Sequence, residues 1–335
     1  MKIGILGAGT WGTALSAVLG AKHDVVLWSA IGEEIDALAL TRRHVKLPDF
    51  LLPDSVLPTR DIEQACVDAP VLLVAVPSVY VRATVAAARA YITPGTIIVC
   101  VAKGIESDTL LTMTEIIEEE LAGLQIRTVA LSGPTHAEEV AKGIPSSIVS
   151  ASDDPMAAAA VQQLFLHSCM RVYTNADIRG VELCGAMKNI VALASGISGG
   201  LGYGDNTRAA IITRGMAEIA RLGLAMGCAE QTFYGLAGIG DLIVTATSLH
   251  SRNYRAGQLI GSGMKTEEAV GSIGMTVEGI NALPAAMQLS RKYGVEMPII
   301  ASVDAVVFGR MTPTEAVDAL MERKMKAETI TVVAR

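Results

Sequence analysis

The stretch GILGAGTWGTALS, residues 4–16, indicates how this chain begins to fold. It places glycines at positions 7, 9 and 12 directly after the apolar run KIGIL at residues 2–6, which is typical of a buried strand. A helical pattern of small residues follows over 11–21, and a second apolar run, DVVLW, occupies residues 24–28. We therefore predict a strand–helix–strand unit with a glycine-rich turn at its first junction.

The three glycines have separate uses in such a unit. Gly7 allows the tight turn, Gly9 lets the backbone approach the pyrophosphate of a dinucleotide, and Gly12 permits close packing of the helix on the strand. The helix N-terminus adds N–H groups and a positive dipole end, which attract phosphate. A GxGxxG spacing alone also occurs in turns that bind nothing, but this context favours dinucleotide binding.

An export signal is the competing interpretation of the opening. Lys2 is followed by an uncharged run to Ala21, as in a signal peptide. Glycine and threonine interrupt this run between residues 7 and 13, where a signal peptide is continuously apolar. No other stretch has the unbroken apolar length of a membrane helix, so we expect no membrane insertion.

Alternating strand and helix patterns continue through the first half of the chain. Apolar runs typical of strands lie at 71–76, 96–101, 127–131, 146–150 and 171–174. Helical patterns, for example at 79–91 and 109–122, separate them. This alternation predicts an α/β fold with a Rossmann-type, doubly wound parallel sheet that is covered on both faces.

The pattern changes to helices alone after about Asn175. Helices are predicted at 178–198, 207–224, 230–236, 253–262, 266–271, 277–292, 298–308 and 313–325. The last one begins with a capping box, TPTE at 312–315. We therefore predict a dinucleotide-binding domain at 1–176 and an all-helical substrate and catalytic domain at 177–335.

Composition excludes several classes of protein. The 335 residues are 51% hydrophobic and 18% charged, which is typical of a globular chain and not of a disordered one. A net charge of -7 argues against a general nucleic-acid binder. Neither the five cysteines nor the five histidines have the spacing of a metal site, and the cysteines suggest no disulfide framework. We expect no metal and a reducing cytoplasm.

The end of the second predicted strand leaves the choice of dinucleotide open. An acidic residue there usually binds the ribose 2′-hydroxyl of NAD, and an arginine nearby accommodates the 2′-phosphate of NADP. This chain has Trp28-Ser29-Ala30-Ile31 instead. Glu33 and Glu34 come later and are expected on a solvated helix start, so either NAD or NADP could bind.

Three later predicted strands end in polar loops. They are Pro77-Ser78, Lys103-Gly104 and Ser132-Gly133-Pro134-Thr135. Each could be an ordinary turn. In a parallel sheet, however, all of them fall at the same edge as the glycine loop, which favours one shared crevice with Lys103 as its cation.

Lys188 is the strongest candidate in the helical region. It is the only charged residue between Glu182 and Asp205, and its neighbours at helical spacing are small or apolar. The lysine could reach solvent past its helix. Burial among small residues is the interpretation we favour, because buried lysines are suited to proton transfer.

Asp241 is similarly isolated in GLAGIGDLIVTATSLHSRN, residues 235–253. A carboxylate in an apolar stretch needs a partner, for which Lys188 is a candidate, although Asp241 could instead cap a helix. Ser251-Arg252-Asn253 follows, and an arginine with neighbouring hydrogen-bonding side chains suits a phosphate dianion. The same triplet could also be a solvated helix start.

Together these motifs resemble the NAD(P)-dependent glycerol-3-phosphate dehydrogenases of the bacterial type along nearly the whole chain. The resemblance is carried by GAGTWGTALS (7–16), VAVPS (74–78), AKGIE (102–106), SGPTHAEE (132–139), ELCGAMKN (182–189), TRGMAEIARLG (213–223), GIGDL (238–242), SRN (251–253) and VEG (277–279).

The resemblance implies a role for each matching residue. Catalysis would involve Lys188, as the proton-transferring group, with Asp241 and Lys103. The cofactor would be bound by Gly7, Gly9, Thr10, Trp11, Gly12, Lys103, Ala137, Arg252, Thr276 and Glu278. The substrate would be bound by Lys103, Gly133, Thr135, Lys188, Asp241, Ser251, Arg252 and Asn253. Positions 30 and 31 depart from the family, which often has His or Arg there.

The implied reaction is the reversible reduction of dihydroxyacetone phosphate to sn-glycerol 3-phosphate, which supplies glycerophospholipid synthesis. A homodimer is expected, although no sequence feature specifies it. Two alternatives stay open. A related Rossmann-plus-helical dehydrogenase acting on a hydroxy acid or sugar acid would lack the Ser251-Arg252-Asn253 cluster. A non-catalytic dinucleotide sensor would not need Lys188.

Overall fold

The structure of the protein, a computed structural model, describes residues 1–47, 49–325 and 328. The chain forms two compact units. One consists of Met1–Glu106 and Leu111–Glu182, and the other of Ser107–Leu110 and the chain from Leu183 onward. The predicted domain limits, 1–176 and 177–335, stay predictions, and residues 326, 327 and 329–335 of the second domain lie outside the described residues.

The first unit is built on one eight-stranded sheet. Its strands are β1 (Lys2–Leu6), β2 (Asp24–Trp28), β3 (Val56–Thr59), β4 (Val71–Val74), β5 (Ile97–Cys100), β6 (Arg127–Ser132), β7 (Ser146–Ala151) and β8 (Met170–Asn175). Their order across the sheet is β3-β2-β1-β4-β5-β6-β7-β8. The chain reverses its direction of winding between β1 and β4, which is the switch point where such sheets bind ligands.

The sheet is covered on both faces, as predicted. Side chains of successive strand residues alternate between two buried clusters: Ile3 and Ile5 belong to one, and Leu6 belongs to the other. The covering helices are α1 (Thr10–Gly20), α2 (Gly32–Thr41), α3 (Ile62–Cys66), α4 (Val81–Ala88), α5 (Met113–Glu120), α6 (Ala137–Ala141) and α7 (Pro155–Leu164). The Rossmann-type α/β fold is therefore confirmed.

Two features of the sheet differ from the prediction. β3 was not predicted, because it is a four-residue edge strand, VLPT, whose proline is tolerated only at such an edge. The sheet is also not parallel throughout: β7 pairs antiparallel with β6, and β8 is parallel to β7. An apolar run indicates a strand but carries no information on its direction.

Every element described from Leu183 onward is helical. The elements are α8 (Ile178–Gly200), which begins in the first unit, then α9 (Asp205–Ala225), α10 (Glu230–Phe233), α11 (Asp241–Thr247), α12 (Arg252–Gly261), α13 (Thr266–Ile273), α14 (Glu278–Tyr293), α15 (Pro298–Val307) and α16 (Pro313–Met321). The predicted capping box is present at the start of α16. The sequence did not predict α11, which follows a π-helical turn at Leu236–Gly240, because the glycines obscure the helical pattern.

By length and hydropathy alone, α8 could cross a membrane. The helical segments 230–247 and 252–261, which are bent relative to each other, would also qualify if they are counted as one span. The apolar window of α8 is wholly buried within the protein. Burial of this kind is typical of a helix in the core of a folded unit.

Candidate active site

The glycine loop joins β1 to α1 at the carboxyl edge of the sheet. Gly7 has a φ of +121°, which a residue with a side chain rarely adopts, and a Cβ there would lie 2.7 Å from the carbonyl carbon of Ala75. A Cβ on Gly12 would overlap the carbonyl oxygen of Gly7. Both positions therefore require glycine, the first for its conformation and the second for close packing.

The loop also offers space for a ligand at Gly9. A Cβ on Gly9 would meet no atom within 4 Å, and this residue is the N-cap of α1 without a side-chain cap. Thr10 and Trp11, which open the helix, are half-buried beside it. An uncapped helix start with open space in front of it fits a dinucleotide pyrophosphate.

The polar loops after β4, β5 and β6 adjoin the glycine loop in turn. The contact of Gly7 with Ala75 joins the glycine loop to the loop after β4. In the loop after β5, Gly104 lies so close to Ser78, which follows β4, that a Cβ on Gly104 would overlap the Ser78 side chain. The ammonium of Lys103 donates to the carbonyl oxygen of Gly133 at 3.3 Å. The predicted gathering of these loops at one edge is therefore present.

Two further predicted residues lie close to these loops. Thr135 donates its hydroxyl proton to the same carbonyl oxygen of Gly133, at 3.2 Å. Ala137 is buried and opens α6 immediately afterwards. The carboxyl edge of β6 thus holds all three residues that were predicted between positions 133 and 137.

The second unit contains the buried pair Lys188 and Asp241. Lys188 Nζ donates to Asp241 Oδ1 at 2.6 Å, and the two residues are only 5% and 1% exposed. The lysine therefore does not reach solvent past its helix. Asp241 lies in the first turn of α11 but does not cap it, since the N-cap is Gly240 and has no side-chain cap.

Thr245 completes this centre and was not predicted. Its hydroxyl lies 2.6 Å from Lys188 Nζ and itself donates to the carbonyl oxygen of Asp241 at 2.6 Å. Asp241 and Thr245 are four residues apart on α11 and so lie on one face of the helix. Recognition of α11 in the sequence would have pointed to Thr245.

The pair is stable in a buried position because the charges compensate each other. A buried ammonium without a partner would be strongly destabilised, and a carboxylate at hydrogen-bonding distance offsets that cost. The hydroxyl of Thr245 fixes a second direction of the ammonium. The ammonium of Lys188 is therefore held in a defined orientation.

Ser251, Arg252 and Asn253 form the start of α12. Ser251 is the N-cap, and its hydroxyl accepts the backbone N–H of Tyr254 at 3.2 Å. Arg252 is half-buried at the first helical position. The triplet is thus a polar helix start, but Ser251 and Asn253 are buried and not solvated.

Asn253 also links three helices. Its amide donates to Asn189 Oδ1 at 3.0 Å, and its oxygen accepts the N–H of Gly279 at 2.8 Å. Gly279 follows Glu278 at the start of α14, and Thr276 lies two residues before Glu278. The hydrogen bond to Gly279 therefore joins the predicted substrate triplet to the start of α14, next to the predicted cofactor residues 276 and 278.

Comparisons with known proteins agree along nearly the whole chain. Residues 2–158 match the family model for the N-terminus of NAD-dependent glycerol-3-phosphate dehydrogenase, and residues 177–318 match the one for its C-terminus. A glycerol-3-phosphate dehydrogenase [NAD(P)+] of Lactobacillus delbrueckii subsp. bulgaricus is 58% identical over 98% of both chains. One of Agathobacter rectalis is 47% identical over 98% of this chain and 97% of that one.

A solved structure supports the same assignment. The crystal structure of glycerol-3-phosphate dehydrogenase from Coxiella burnetii superposes with a TM-score of 0.91 at 36% identity, covering 96% of this chain and 99% of that one. The similarity thus extends over the fold, the glycine loop and the helical unit that holds Lys188. This chain belongs to the NAD-dependent glycerol-3-phosphate dehydrogenase family.

Proposed function

We propose that the protein catalyses the reversible, NAD(P)-linked reduction of dihydroxyacetone phosphate to sn-glycerol 3-phosphate. The observation that carries this proposal is the buried ion pair of Lys188 and Asp241 with Thr245 beside it. A reductase of a ketone needs a positioned acid, and a non-catalytic dinucleotide sensor has no use for such a group.

The nicotinamide ring, when bound, supplies or accepts the hydride. Lys188 donates a proton to the alkoxide that forms at C2 of the substrate, and in the oxidative direction it accepts that proton. Asp241 holds the ammonium against α11, and Thr245 directs it. The reductive and the oxidative directions therefore use the same three side chains.

Phosphate recognition is assigned to α12. Arg252 provides a guanidinium whose donors match phosphate oxygens, and the N-terminus of the ten-residue helix adds its dipole. Ser251 caps this helix, and Asn253 fixes it to α8 and α14. We assign these two residues to the substrate site because they hold Arg252 in place.

In the first unit, we assign the pyrophosphate to Gly7, Gly9, Thr10, Trp11 and Gly12. A second group of proposed contacts lies in the loops after β5 and β6: Lys103, Gly133 and Thr135 for the substrate, and Lys103 and Ala137 for the cofactor. The proposed cofactor contacts in the second unit are Arg252, Thr276 and Glu278.

The cellular setting follows from the reaction. Glycerol 3-phosphate is the backbone of glycerophospholipids, so we propose a role in their synthesis. We further propose a cytoplasmic homodimer that does not insert into the membrane. Sedimentation of the purified protein would test the dimer directly.

The test is to follow the absorbance of reduced nicotinamide after addition of dihydroxyacetone phosphate, with NADH and NADPH in separate assays. We expect turnover with this substrate and little with unphosphorylated dihydroxyacetone, because Arg252 would have no phosphate to bind. Faster turnover with a 2-oxo acid would favour the related hydroxy-acid dehydrogenase instead. Dinucleotide binding without any turnover would favour the sensor.

A further inference from the structure

The unpredicted strand β3 brings a cation to the end of β2. In the register of these two parallel strands Thr59 lies opposite Trp28, the last residue of β2. Arg60 comes next, and its carbonyl oxygen accepts the indole N–H of Trp28 at 3.0 Å. Arg60 is therefore fixed at the carboxyl edge of the sheet, beside the loop that follows β2.

The side chain of Arg60 lies across that loop. Its Cζ is 3.0 Å and its Nη1 is 3.1 Å from the point where a Cβ on Gly32 would be. Gly32 opens α2, four residues after β2 ends. The guanidinium thus occupies the position from which a Rossmann fold reads the 2′ substituent of the adenosine ribose.

Asp36 orients the guanidinium without occupying all of its donors. Its carboxylate accepts from Arg60 Nε at 2.7 Å and also from Nη2. This pairing uses one edge of the planar fork, and a guanidinium has five N–H donors in all. The Nη1 end is therefore able to donate to a further anion, and the Arg60 side chain is 62% exposed.

We propose that Arg60 binds the 2′-phosphate of NADPH and is the residue through which this protein accepts that dinucleotide. The proposal rests on the proposed function in one respect, since it assumes that the dinucleotide lies on the glycine loop. Arg60 supplies the cation that residues 29–31 lack. Asp36 and Glu33 carry opposing charge nearby, so the resulting preference is modest and NADH binds as well.

The test measures binding and needs no substrate. Dissociation constants for NADH and NADPH are measured by fluorescence, and those for AMP and 2′,5′-ADP by calorimetry, because the last two probes differ only by the 2′-phosphate. We expect Arg60→Gln to weaken the binding of NADPH and of 2′,5′-ADP about tenfold or more. The dissociation constants of NADH and AMP should change less than about twofold. In the wild type, added salt should weaken the binding of NADPH more steeply than that of NADH, and in Arg60→Gln this difference should disappear.

The matched control is Arg127→Gln. Arg127 is an exposed arginine of the same unit near a carboxylate, Asp154, but it begins β6 and so lies at the opposite edge of the sheet. This variant should keep the wild-type ratio of NADPH to NADH affinity. Unchanged NADH affinity in both variants shows that the unit remains folded.

Two results would overturn the proposal. One is a wild-type protein that does not bind NADPH, and the other is an Arg60→Gln variant in which the affinities for NADH and NADPH change by the same factor. Neither depends on the reaction catalysed. If the wild type binds both dinucleotides but does not reduce dihydroxyacetone phosphate, the proposed function fails, and the binding ratio still decides the role of Arg60.

Discussion

At the residue scale, the surroundings of Lys188 determine what its ammonium can do. Two oxygens lie 2.6 Å from Nζ, one from a carboxylate and one from a hydroxyl. The sequence predicted the first contact, because two isolated charges in apolar stretches need each other. It did not predict Thr245, whose position depends on a helix that the glycines before it obscure. Arg60 was missed for a similar reason, since an edge strand carries it to β2.

Arg252 is the residue whose removal should act on substrate binding most selectively. Loss of a charged hydrogen bond costs roughly 1.5–3 kcal/mol, so Arg252→Ala should raise the KM for dihydroxyacetone phosphate about ten- to hundredfold. The effect on dinucleotide affinity should be smaller. Steady-state kinetics checks this, with Arg291→Ala, an exposed arginine of the same unit, as the control. An unchanged KM would remove Arg252 from the substrate site.

At the element scale, α8 and α12 are held in contact by glycines. A Cβ on Gly257 of α12 would overlap the carbonyl oxygen of Leu193, and one on Gly196 of α8 would overlap that of Tyr254. Since α8 carries Lys188 and α12 begins with Arg252, this contact fixes the distance between the proposed acid and the proposed phosphate ligand. The sequence predicted both helices, but nothing in it indicated that these glycines face each other.

Gly257→Ala tests this contact. The added methyl group must push the helices apart, so we expect a loss of stability and a higher KM for dihydroxyacetone phosphate. Gly271→Ala is the matched control, because Gly271 also lies within a helix, α13, and a Cβ there meets no atom within 4 Å. That change should be neutral or stabilise the protein by up to about 1 kcal/mol. Equal stability and equal KM in the two variants would show that the close contact of α8 and α12 does not position the site.

At the scale of the whole molecule, two buried carboxyl groups make stability depend on pH. Burial raises the pKa of Glu182 and that of Glu218 to about 7. Glu182 accepts the N–H of Thr114 at 2.9 Å, and Glu218 accepts the N–H groups of Ile299 and Ile300 at the start of α15. Each carboxyl therefore connects distant parts of the chain within its own unit.

The raised pKa of these carboxyl groups determines whether stability rises or falls with pH. Because the folded pKa lies above the unfolded value of 4.5, the folded state binds more protons between pH 4.5 and about 7. This contribution to stability is complete below pH 4.5 and is lost as the pH rises through 7. Glu218→Gln should remove a difference on the order of 3 kcal/mol between the free energies of unfolding at pH 4.5 and pH 8.

Denaturant titrations of wild type and variant at these two pH values measure the effect. The control is Glu268→Gln, which changes an exposed carboxylate in the first turn of α13 and should keep the wild-type pH dependence. An identical dependence in wild type and Glu218→Gln would show that folding does not raise the pKa of the Glu218 carboxyl.

Proton transfer by Lys188 is tested by the kcat of the Lys188→Met variant. Methionine keeps much of the length and apolar volume but has no proton to give. Since it leaves Asp241 buried without the ammonium of Lys188, the double variant Lys188→Met/Asp241→Asn is prepared as well. Thermal unfolding and NADH affinity show for each variant whether the fold is intact.

We predict that kcat for dihydroxyacetone phosphate falls by about 10²–10⁴ in both variants, while the dissociation constant of NADH changes less than about twofold. Turnover close to the wild-type rate in a folded Lys188→Met protein would exclude Lys188 as the proton donor and would point to Lys103 instead.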